Sequence, residues 1–380
     1  MAAATELFCR DGYPAVSMAD VAAAVGVQPS ALYRHFRDKQ DLLLETVRTS
    51  MEPGASIVLS SGEGLDGLLS VLAESALAHR PLGVLWQRES RHLSSSQRSE
   101  LRQKVRTVSV ALRDAIVAER NELDEAQADF MSGCVLAVLV SVSYQKAQLP
   151  RADHAALLQQ LTTAVTRVQL PPMRDAGRPG HTPAGLRSRR EVLLASAAQL
   201  WSRRGFDEVG IDEIAAAASI APPSFYHHFK GKSDLLWSIL MRGDAALRND
   251  MVRALRRSAD PQDAARRAMR AYIDLALDRP ELVDATVWQV AYLPPDRRER
   301  ALDIQRDLVG EWMALQERAR PDMDRAHVRV RVQAALTVIS NVATTRRLCT
   351  MDGSGDALTS AVEAVLDVAS DPRDRDGRPI

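Results

Sequence analysis

The feature that most constrains this chain is an internal repeat with a period of 193 residues. Shifted by 193 positions, residues 7–43 align without a gap on residues 200–236, and 15 of the 37 pairs are identical. An alanine-rich composition gives about three identities over that length by chance. The period is far too long for a solenoid. The sequence therefore predicts a duplicated module whose two related halves follow one another.

The segment between the two halves is rich in proline and glycine. Residues 170–185 (LPPMRDAGRPGHTPAG) contain four prolines and three glycines, have little to bury and cannot continue a helix. We predict a linker there. The charged residues 371–380 predict a solvated, disordered tail.

Each copy has the pattern of three short helices. In the second copy, residues 188–204 predict a helix that Gly205 terminates. A second helix is predicted from apolar residues at i, i+3, i+4 and i+7. These are Ile211, Ile214, Ala215 and Ala218, matched by Met18, Val21, Ala22 and Val25 in the first copy. Ser17 and Asp20 form a capping-box pattern. A turn at Gly26 or Ser219 precedes a third helix that starts with Pro29 or Pro222 and packs inward through Leu32 and Phe36, or Phe225 and Phe229.

Three helices with a tight turn before the third predict a helix-turn-helix, whose third helix reads base edges in the major groove. Side chains at the start of that helix are candidates for base contacts, and those beside it are candidates for phosphate contacts. The predicted DNA-binding residues are Ser17, Gln28, Pro29, Ser30, Tyr33, Arg34, His35 and Lys39 in the first copy, and Ala221, Pro222, Pro223, Ser224, Tyr226, His227, His228 and Lys232 in the second.

The segments ALYRHFRDKQDLL and SFYHHFKGKSDLL resemble the Y-x-H-F-x-x-K-x-x-L signature of TetR-type transcriptional repressors. The resemblance covers about 45–50 residues per copy and occurs twice, as in the tandem members of that family. Residues 84–103 are similar to actinobacterial regulators of lipid and sterol uptake or metabolism, of the mammalian-cell-entry operon repressor type.

The resemblance implies an all-α chain with two units, each a DNA-binding domain followed by a helical ligand-binding and dimerisation domain. The expected boundaries are 1–45 and 186–237 for the DNA-binding domains, 46–169 and 238–370 for the regulatory domains, and 170–185 for the linker. Partners are double-stranded DNA and a small apolar effector. The apolar helices of the two copies would form an intramolecular pseudo-dimer, with an intermolecular homodimer as the alternative.

Two departures from the family pattern affect these expectations. Met1 aligns with Leu194, so the first copy lacks the start of helix 1 and the arginines at 187, 189 and 190; a start codon assigned too far downstream would explain this. Residues 1–50 carry five basic and six acidic side chains, whereas residues 186–242 carry eight and six. In the second copy, Ala221, Pro222 and Pro223 offer few polar groups to bases. The alternative function is therefore a small-molecule or protein-binding module with one or both DNA-binding heads vestigial.

Other classes of protein are disfavoured. Three distant cysteines form no disulfide framework, which favours a cytoplasmic, nucleoid-associated protein. The longest apolar run, near residues 134–142, is shorter than a bilayer requires. We find no motif for an enzyme, a metal site or a cofactor. Candidate pocket residues are Trp86, Met131, Cys134, Trp288, Tyr292 and Met313, although ordinary core packing also accounts for each. Arg88, Glu89 and His92 are expected on a solvated face rather than at a pocket mouth, and Cys134 and Cys349 in the core.

Overall fold

The computed structural model describes residues 1–60, 64–145, 149–175 and 188–368. The predicted tail and residues 176–185 of the predicted linker lie outside the described residues. The described part of the chain is helical, apart from two paired strands of two residues each, which confirms the all-α class. Two compact units are present: Met1–Val168 with Arg329–Val338, and Gln169–Val328 with Ile339–Ile380.

The first unit begins with the three short helices that the repeat predicts, which we call head one. A long helix then leads into a helical bundle, which we call body one (α5–α9). The helices are α1 Ala2–Asp11, α2 Met18–Ala24, α3 Pro29–Leu32, α4 Lys39–Ser60, α5 Leu65–Ala78, α6 Leu82–Gln87, α7 Ser95–Glu119, α8 Glu125–Val140 and α9 Arg151–Thr166. Short 3-10 helices cover Tyr13–Ala15, Glu89–His92 and Ser141–Tyr144.

The second unit repeats this order as head two (α10–α12), a connecting helix and body two (α14–α19). The helices are α10 Arg189–Arg204, α11 Ile211–Ala217, α12 Pro222–Phe225, α13 Lys232–Arg256, α14 Pro261–Asp278, α15 Pro280–Asp284, α16 Pro295–Ala319, α17 Arg325–Thr344, α18 Arg346–Cys349 and α19 Ser354–Leu366. A π-helical turn covers Ala285–Gln289, and a 3-10 helix covers Val290–Tyr292.

Capping residues fix where several helices begin. The Ser17 hydroxyl accepts a hydrogen bond from the Asp20 N–H, and the Asp20 carboxylate accepts one from the Ser17 N–H, so the predicted capping box is confirmed. The same reciprocal arrangement starts α7 at Ser94 and α8 at Asp124. Ser188 precedes α10, and Gly205 ends it with a φ of 96°, as the sequence predicts. These caps satisfy N–H groups that the first turn of a helix leaves unpaired.

The beginning of the predicted linker is part of the second unit. Strand β1, Arg174–Asp175, pairs antiparallel with β2, Met351–Asp352. The preceding Met173 is only 3% exposed. Gly353 has a φ of 82°, and a side chain there would place its Cβ 2.9 Å from the carbonyl oxygen of Pro172. This part of the segment is therefore packed, contrary to the prediction that it has little to bury.

Each head shares one hydrophobic core with its body. In the first unit, Phe8, Val21 and Leu43 of the head region belong to the same cluster as Leu85 and Leu101 of the body. The second unit repeats this with a cluster that contains Trp201 and Phe225 and also the body residues 282 and 301. The predicted boundaries after residues 45 and 237 fall inside the continuous helices α4 and α13. The head is thus packed as one end of its unit.

Two predicted core positions are wrong. Val25, which directly follows the last residue of α2, is 47% exposed. Its counterpart Ala218 is buried at 2%. Cys349 is only partly buried, since it ends the one-turn helix α18. Cys134, in contrast, is fully buried in α8, as predicted.

By length and composition, one helix among the described residues is apolar enough to cross a membrane, Glu125–Tyr144, and 67% of its apolar window is buried in the fold. The bent pair Leu65–Ala78 and Leu82–His92 passes the same test only when its members are counted together. The helix around Cys134 is thus longer than the apolar run in the sequence suggests, and its burial accounts for its composition.

Candidate nucleic-acid interface

The turn before the third helix contains a left-handed residue in both heads. Gly26 has a φ of 70° and Ser219 a φ of 56°. This conformation lets the chain reverse sharply between the second and third helices, and glycine adopts it at the lowest cost. The following helix then starts at a proline, whose missing N–H removes no hydrogen bond there. The helix-turn-helix geometry is therefore built by the same device in both copies.

A tyrosine stands out directly after each third helix. Tyr33 is 55% exposed and Tyr226 is 61% exposed, at equivalent positions. More than half of each side chain is exposed, which is uncommon for an aromatic residue and makes the tyrosine the most distinctive feature of this surface. Apolar residues on the opposite side anchor the helix: Phe225 and Phe229 are buried and Leu32 and Phe36 pack on the core, as predicted.

The remaining predicted base-reading residues lie around these tyrosines. The exposed ones are Gln28, Ser30, Arg34 and His35 in head one, and Ala221, Pro222, Pro223 and His227 in head two; Pro29, Ser224 and His228 are partly buried. Head one thus presents an amide, a guanidinium and an imidazole. Head two presents mainly apolar groups. Whether these residues contact DNA stays a prediction.

Lys39 and Lys232 have an intramolecular role that the sequence did not predict. The Lys39 ammonium donates to the carbonyl oxygens of Tyr13 and Val16, each at 2.9 Å, and lies 4.2 Å from the centre of the Tyr13 ring. Lys232 donates to the Phe206 carbonyl at 2.5 Å and lies 4.4 Å from the Phe206 ring. Burial lowers the pKa of both lysines. These lysines tie the start of α4 and α13 to the loop after the first helix; phosphate contact by them stays a prediction.

Ser17 also has a structural partner. Its hydroxyl donates to the Asp20 carboxylate at 2.6 Å and caps α2. This hydrogen bond lowers the pKa of Asp20. The side chain is exposed, so a contact with DNA stays a prediction.

In head two, an arginine of the first helix holds the third helix in place. The Arg190 guanidinium donates to the His228 carbonyl at 2.7 Å and lies 4.2 Å from the centre of the Phe229 ring. It also donates to the Ser238 hydroxyl at 3.2 Å. One side chain therefore fixes the third helix against α10 and α13. Helix α1 has 10 residues against 16 in α10, and the alignment gives Arg190 no counterpart among residues 1–50.

The surface prediction for Arg88, Glu89 and His92 is wrong. Glu89 is 1% exposed; its carboxylate forms an ion pair with Arg88 and accepts a hydrogen bond of 2.7 Å from the Tyr13 N–H. Arg88 also donates to the carbonyl oxygens of Phe8 and Cys9 at the end of α1. The His92 ring stacks on Tyr13 with centroids 4.8 Å apart. The pattern looks polar in sequence, yet it is the junction between head one and body one.

The second unit has the same aromatic contact at its junction, with a glutamine in place of the buried glutamate. Tyr292 stacks on Phe206 with ring centroids 4.6 Å apart, as His92 stacks on Tyr13. Gln289 takes the place of Glu89, is 2% exposed, and donates to Asp284 at 2.8 Å. His92 aligns with Tyr292, and Glu89 with Gln289, at a shift of 200 positions rather than 193. Sequence reasoning could have found this junction from the aromatic at 92 and 292.

The predicted pocket residues do not form one group within either unit. Trp86 packs against the head-one core, and Tyr292 packs against the head-two core. Met131 and Cys134 are buried in α8, and Met313 is buried in α16. The Trp288 side chain lies outside what the structure describes. Pocket lining by these residues stays a prediction. Within the described ranges, no group of three or more His, Cys, Asp or Glu side chains is placed to hold a metal ion.

Comparison with known proteins agrees with this geometry. The family model described as "Bacterial regulatory proteins, tetR family" matches residues 1–46 and 193–239, which are the two heads. The chain is 35% identical over 86 residues to the HTH-type transcriptional activator FasR of Mycolicibacterium smegmatis, which is 23% of this chain and 39% of that protein. It is 33% identical over 104 residues to the HTH-type transcriptional regulator EthR of the same organism, which is 24% of this chain and 46% of that protein.

The chain thus spans less than half the length of these two relatives. A crystal structure of a TetR-family transcriptional regulator from Bordetella parapertussis 12822 aligns over 49% of this chain and 100% of its own, at 22% identity and a TM-score of 0.44. The matches to the family model coincide with the two helix-turn-helix segments. Two segments of this chain, residues 1–46 and 193–239, are therefore similar to the DNA-binding segment of the tetR family.

Proposed function

We propose that this chain is a ligand-responsive, sequence-specific DNA-binding transcriptional repressor of the tandem type, acting on nucleoid DNA in the cytoplasm. Its two heads occupy the two half-sites of one asymmetric operator, so that a single chain does what a dimer does elsewhere. An apolar effector bound by a body favours a head position that no longer fits the operator. Such control requires that the effector binds the two states with different affinities.

The observation that carries this proposal is the pair of exposed tyrosines, Tyr33 and Tyr226, at equivalent places directly after the two third helices. Each lies next to the element that a helix-turn-helix places in the major groove. Their hydroxyls suit phosphate oxygens, which position a protein on the duplex without reading its sequence. Because the two surfaces differ in composition, the two half-sites differ as well.

The sequence of body one also indicates which genes are regulated. The similarity of residues 84–103 to regulators of lipid and sterol uptake or metabolism supports a lipid-related operon. FasR is named an activator and EthR a regulator, so an experiment has to establish whether this chain represses or activates its genes. A reporter gene behind the operator rises on deletion of the chain if it represses, and falls if it activates.

A second function is favoured by one observation in head two. Ala221, Pro222 and Pro223 are exposed and carry no hydrogen-bonding side chain. A head of this kind supplies shape and thymine-methyl contacts, or it is vestigial and the chain binds a small molecule or a protein. In the vestigial case the DNA affinity is weak and does not distinguish the operator from random DNA.

A footprint of the purified chain on the intergenic DNA beside its own gene separates these functions. We expect a protected, non-palindromic site with half-sites roughly 34–36 Å apart, or a multiple of that spacing. Tyr33→Ala and Tyr226→Ala each remove one half of the protection. Val71→Ala is the matched control, because Val71 is 40% exposed on α5, a helix of body one.

The outcomes are distinct. Protection that each tyrosine variant shortens by one half, with one chain per site by native mass spectrometry, supports the two-headed regulator. Two chains per site establish the intermolecular dimer. Protection that only one variant affects makes the other head vestigial. Absence of protection at any operator-length segment overturns the proposal.

A further inference from the structure

The lysines of the repeated Y-x-H-F-x-x-K segment already have acceptors within their own heads. The Lys39 ammonium donates to the carbonyl oxygens of Tyr13 and Val16, and the Lys232 ammonium donates to that of Phe206. Each ammonium also lies over an aromatic ring of its own head. A lysine that leaves these contacts to reach a phosphate exchanges one set of acceptors for another, so its net gain is small. The electrostatic contact with a DNA backbone must therefore come from other cations.

A second cation lies two residues before each of these lysines, and it is exposed. The side chain of Arg37 is 91% exposed. Lys230, its counterpart at the shift of 193 positions, is exposed as well. Both residues follow the third helix and lie four residues after the exposed tyrosine of their head. The repeat thus keeps a positive charge at this position although it changes the type of residue.

The backbone at this position is fixed in the same way in both heads. The Arg37 N–H donates to the Asp41 carboxylate at 3.0 Å, and the Lys230 N–H donates to the Asp234 carboxylate at 3.2 Å. Asp234 is also paired with Arg297 of body two. Nε of Arg37 lies 3.8 Å from Oδ2 of Asp41, and an exposed pair of this kind contributes little. The backbone of each cation is therefore held in place, whereas its side chain extends into the solvent.

We propose that Arg37 and Lys230 are the cations that the two heads place on the DNA backbone, and that Lys39 and Lys232 do not contact it. When the third helix lies in the major groove, a cation just beyond its end is close to the phosphates that border the groove. Such a contact does not depend on the base sequence, so it also serves head two, whose third helix offers few polar groups to bases. This inference rests on the proposed function and deepens it by assigning the sequence-independent part of binding.

The salt dependence of DNA binding tests this assignment, because each phosphate contact releases condensed counterions. Fluorescence anisotropy is measured with the full chain at several salt concentrations, on a duplex of the intergenic DNA and on a random-sequence duplex of equal length. A plot of the logarithm of the affinity against that of the salt concentration has a slope of about −0.9 per contact. We expect Arg37→Met and Lys230→Met each to make this slope less steep by about 0.9 on both duplexes, and to weaken binding about eightfold at about 0.1 M salt.

Further variants separate this role from a structural one. Arg37→Lys and Lys230→Arg keep the charge and retain the slope. Lys39→Met and Lys232→Met lower stability, and the proposal requires that they leave the slope unchanged at a temperature at which circular dichroism shows them to be folded. Arg102→Met is the control for the loss of one exposed arginine, because Arg102 lies on α7 of body one, and it also leaves the slope unchanged.

An unchanged slope in Arg37→Met and Lys230→Met overturns the inference. A slope that becomes less steep by about 0.9 in Lys39→Met and Lys232→Met also overturns it. The same holds if Arg102→Met changes the slope as much as the head variants do, because the effect is then one of net charge. Equal affinity for the two duplexes, together with the expected changes of slope, keeps this inference and refutes sequence-specific regulation. Absence of binding to either duplex refutes both, so the two failures are distinguishable.

Discussion

The carboxylate of Glu89 accepts a hydrogen bond of 2.7 Å from the backbone N–H of Tyr13, which lies 76 residues earlier in the chain. The same carboxylate is paired with Arg88, whose guanidinium holds two carbonyl oxygens at the end of α1. A buried charge thus connects a body to the loop of its head. Removing one member of such a group leaves the others buried and unpaired.

We expect Glu89→Ala to lower the free energy of unfolding by about 2–3 kcal/mol, because Arg88 and the Tyr13 N–H both lose their acceptor. Glu89→Gln retains an acceptor and loses about 1 kcal/mol. Hydrogen exchange of the peptide around Tyr13 checks this, with faster exchange in the alanine variant. The matched change Gln289→Glu brings a second carboxylate to Asp284 and destabilises head two. Exchange around Tyr13 that is equally fast in the unchanged protein and in Glu89→Ala would contradict the assigned role.

We expect Lys39→Met and Lys232→Met to lower stability by about 1–2 kcal/mol, since each removes a hydrogen-bond donor from at least one partly buried carbonyl oxygen and a cation from an aromatic face. Urea unfolding of the two variants measures this. Arg37→Met is the control, because the side chain of Arg37 is 91% exposed, and its effect stays within about 0.5 kcal/mol. Lysine variants as stable as this control would show that the two contacts contribute nothing.

Ser219→Gly is expected to stabilise head two by about 0.5–1 kcal/mol, because it relieves a left-handed conformation that disfavours a side chain. The reciprocal change Gly26→Ser costs about 1 kcal/mol in head one; it meets no neighbouring atom within 4 Å, so the cost is purely one of backbone strain. Thermal unfolding of both variants provides the test. A stabilised Gly26→Ser protein would refute the argument.

Gly83→Ala is expected to destabilise the first unit by about 1–3 kcal/mol through overpacking. A Cβ at this position would lie 2.8 Å from the Cβ of Ser143 and 2.9 Å from Cγ1 of Val140. Gly243→Ala is the matched control on α13, where the nearest atom is 3.8 Å away. Circular dichroism melting curves distinguish the two. Similar curves would mean that α6 can shift away from the end of α8 at no cost.

We expect the first unit to become less stable as the pH falls, because His154 is buried in its neutral form. Its imidazole is 3% exposed and lies 2.8 Å from the Gln145 side-chain oxygen, and burial lowers its pKa from 6.5 to about 4. Between these values only the unfolded state binds the proton, so stability is fully present above pH 6.5 and decreases as the pH falls toward 4. The total loss is about 3 kcal/mol. Urea titrations at several pH values measure it. His154→Gln removes this slope, whereas His35→Gln, at an exposed position, leaves it unchanged.

The sequence was sufficient for the heads because their information is local. Spacing, caps and turn glycines predict the three short helices, and the repeat doubles the signal at every position. Val25 was misplaced because the periodic pattern is the same in both copies, whereas the residue after the second helix is exposed in head one and buried, as Ala218, in head two. The junction was missed for a different reason: the partners of Tyr13 lie at Glu89 and His92, and nothing in a local pattern marks a polar run as buried. The two bodies repeat at a shift of 200 positions with few identical residues. Their similarity is therefore recognised only when the positions and lengths of their helices are compared.

The shared core of head and body has a consequence for how the chain is made. Phe8 and Leu43 complete their packing only against Leu85 and Leu101. Head one therefore cannot complete its core when it is the only part of the chain that has left the ribosome. Its apolar face remains exposed until about sixty further residues have been synthesised, which takes several seconds at usual rates of translation. Head one should become resistant to proteases only after α7 has emerged, and a nascent chain stalled before that helix is the form that chaperones would meet.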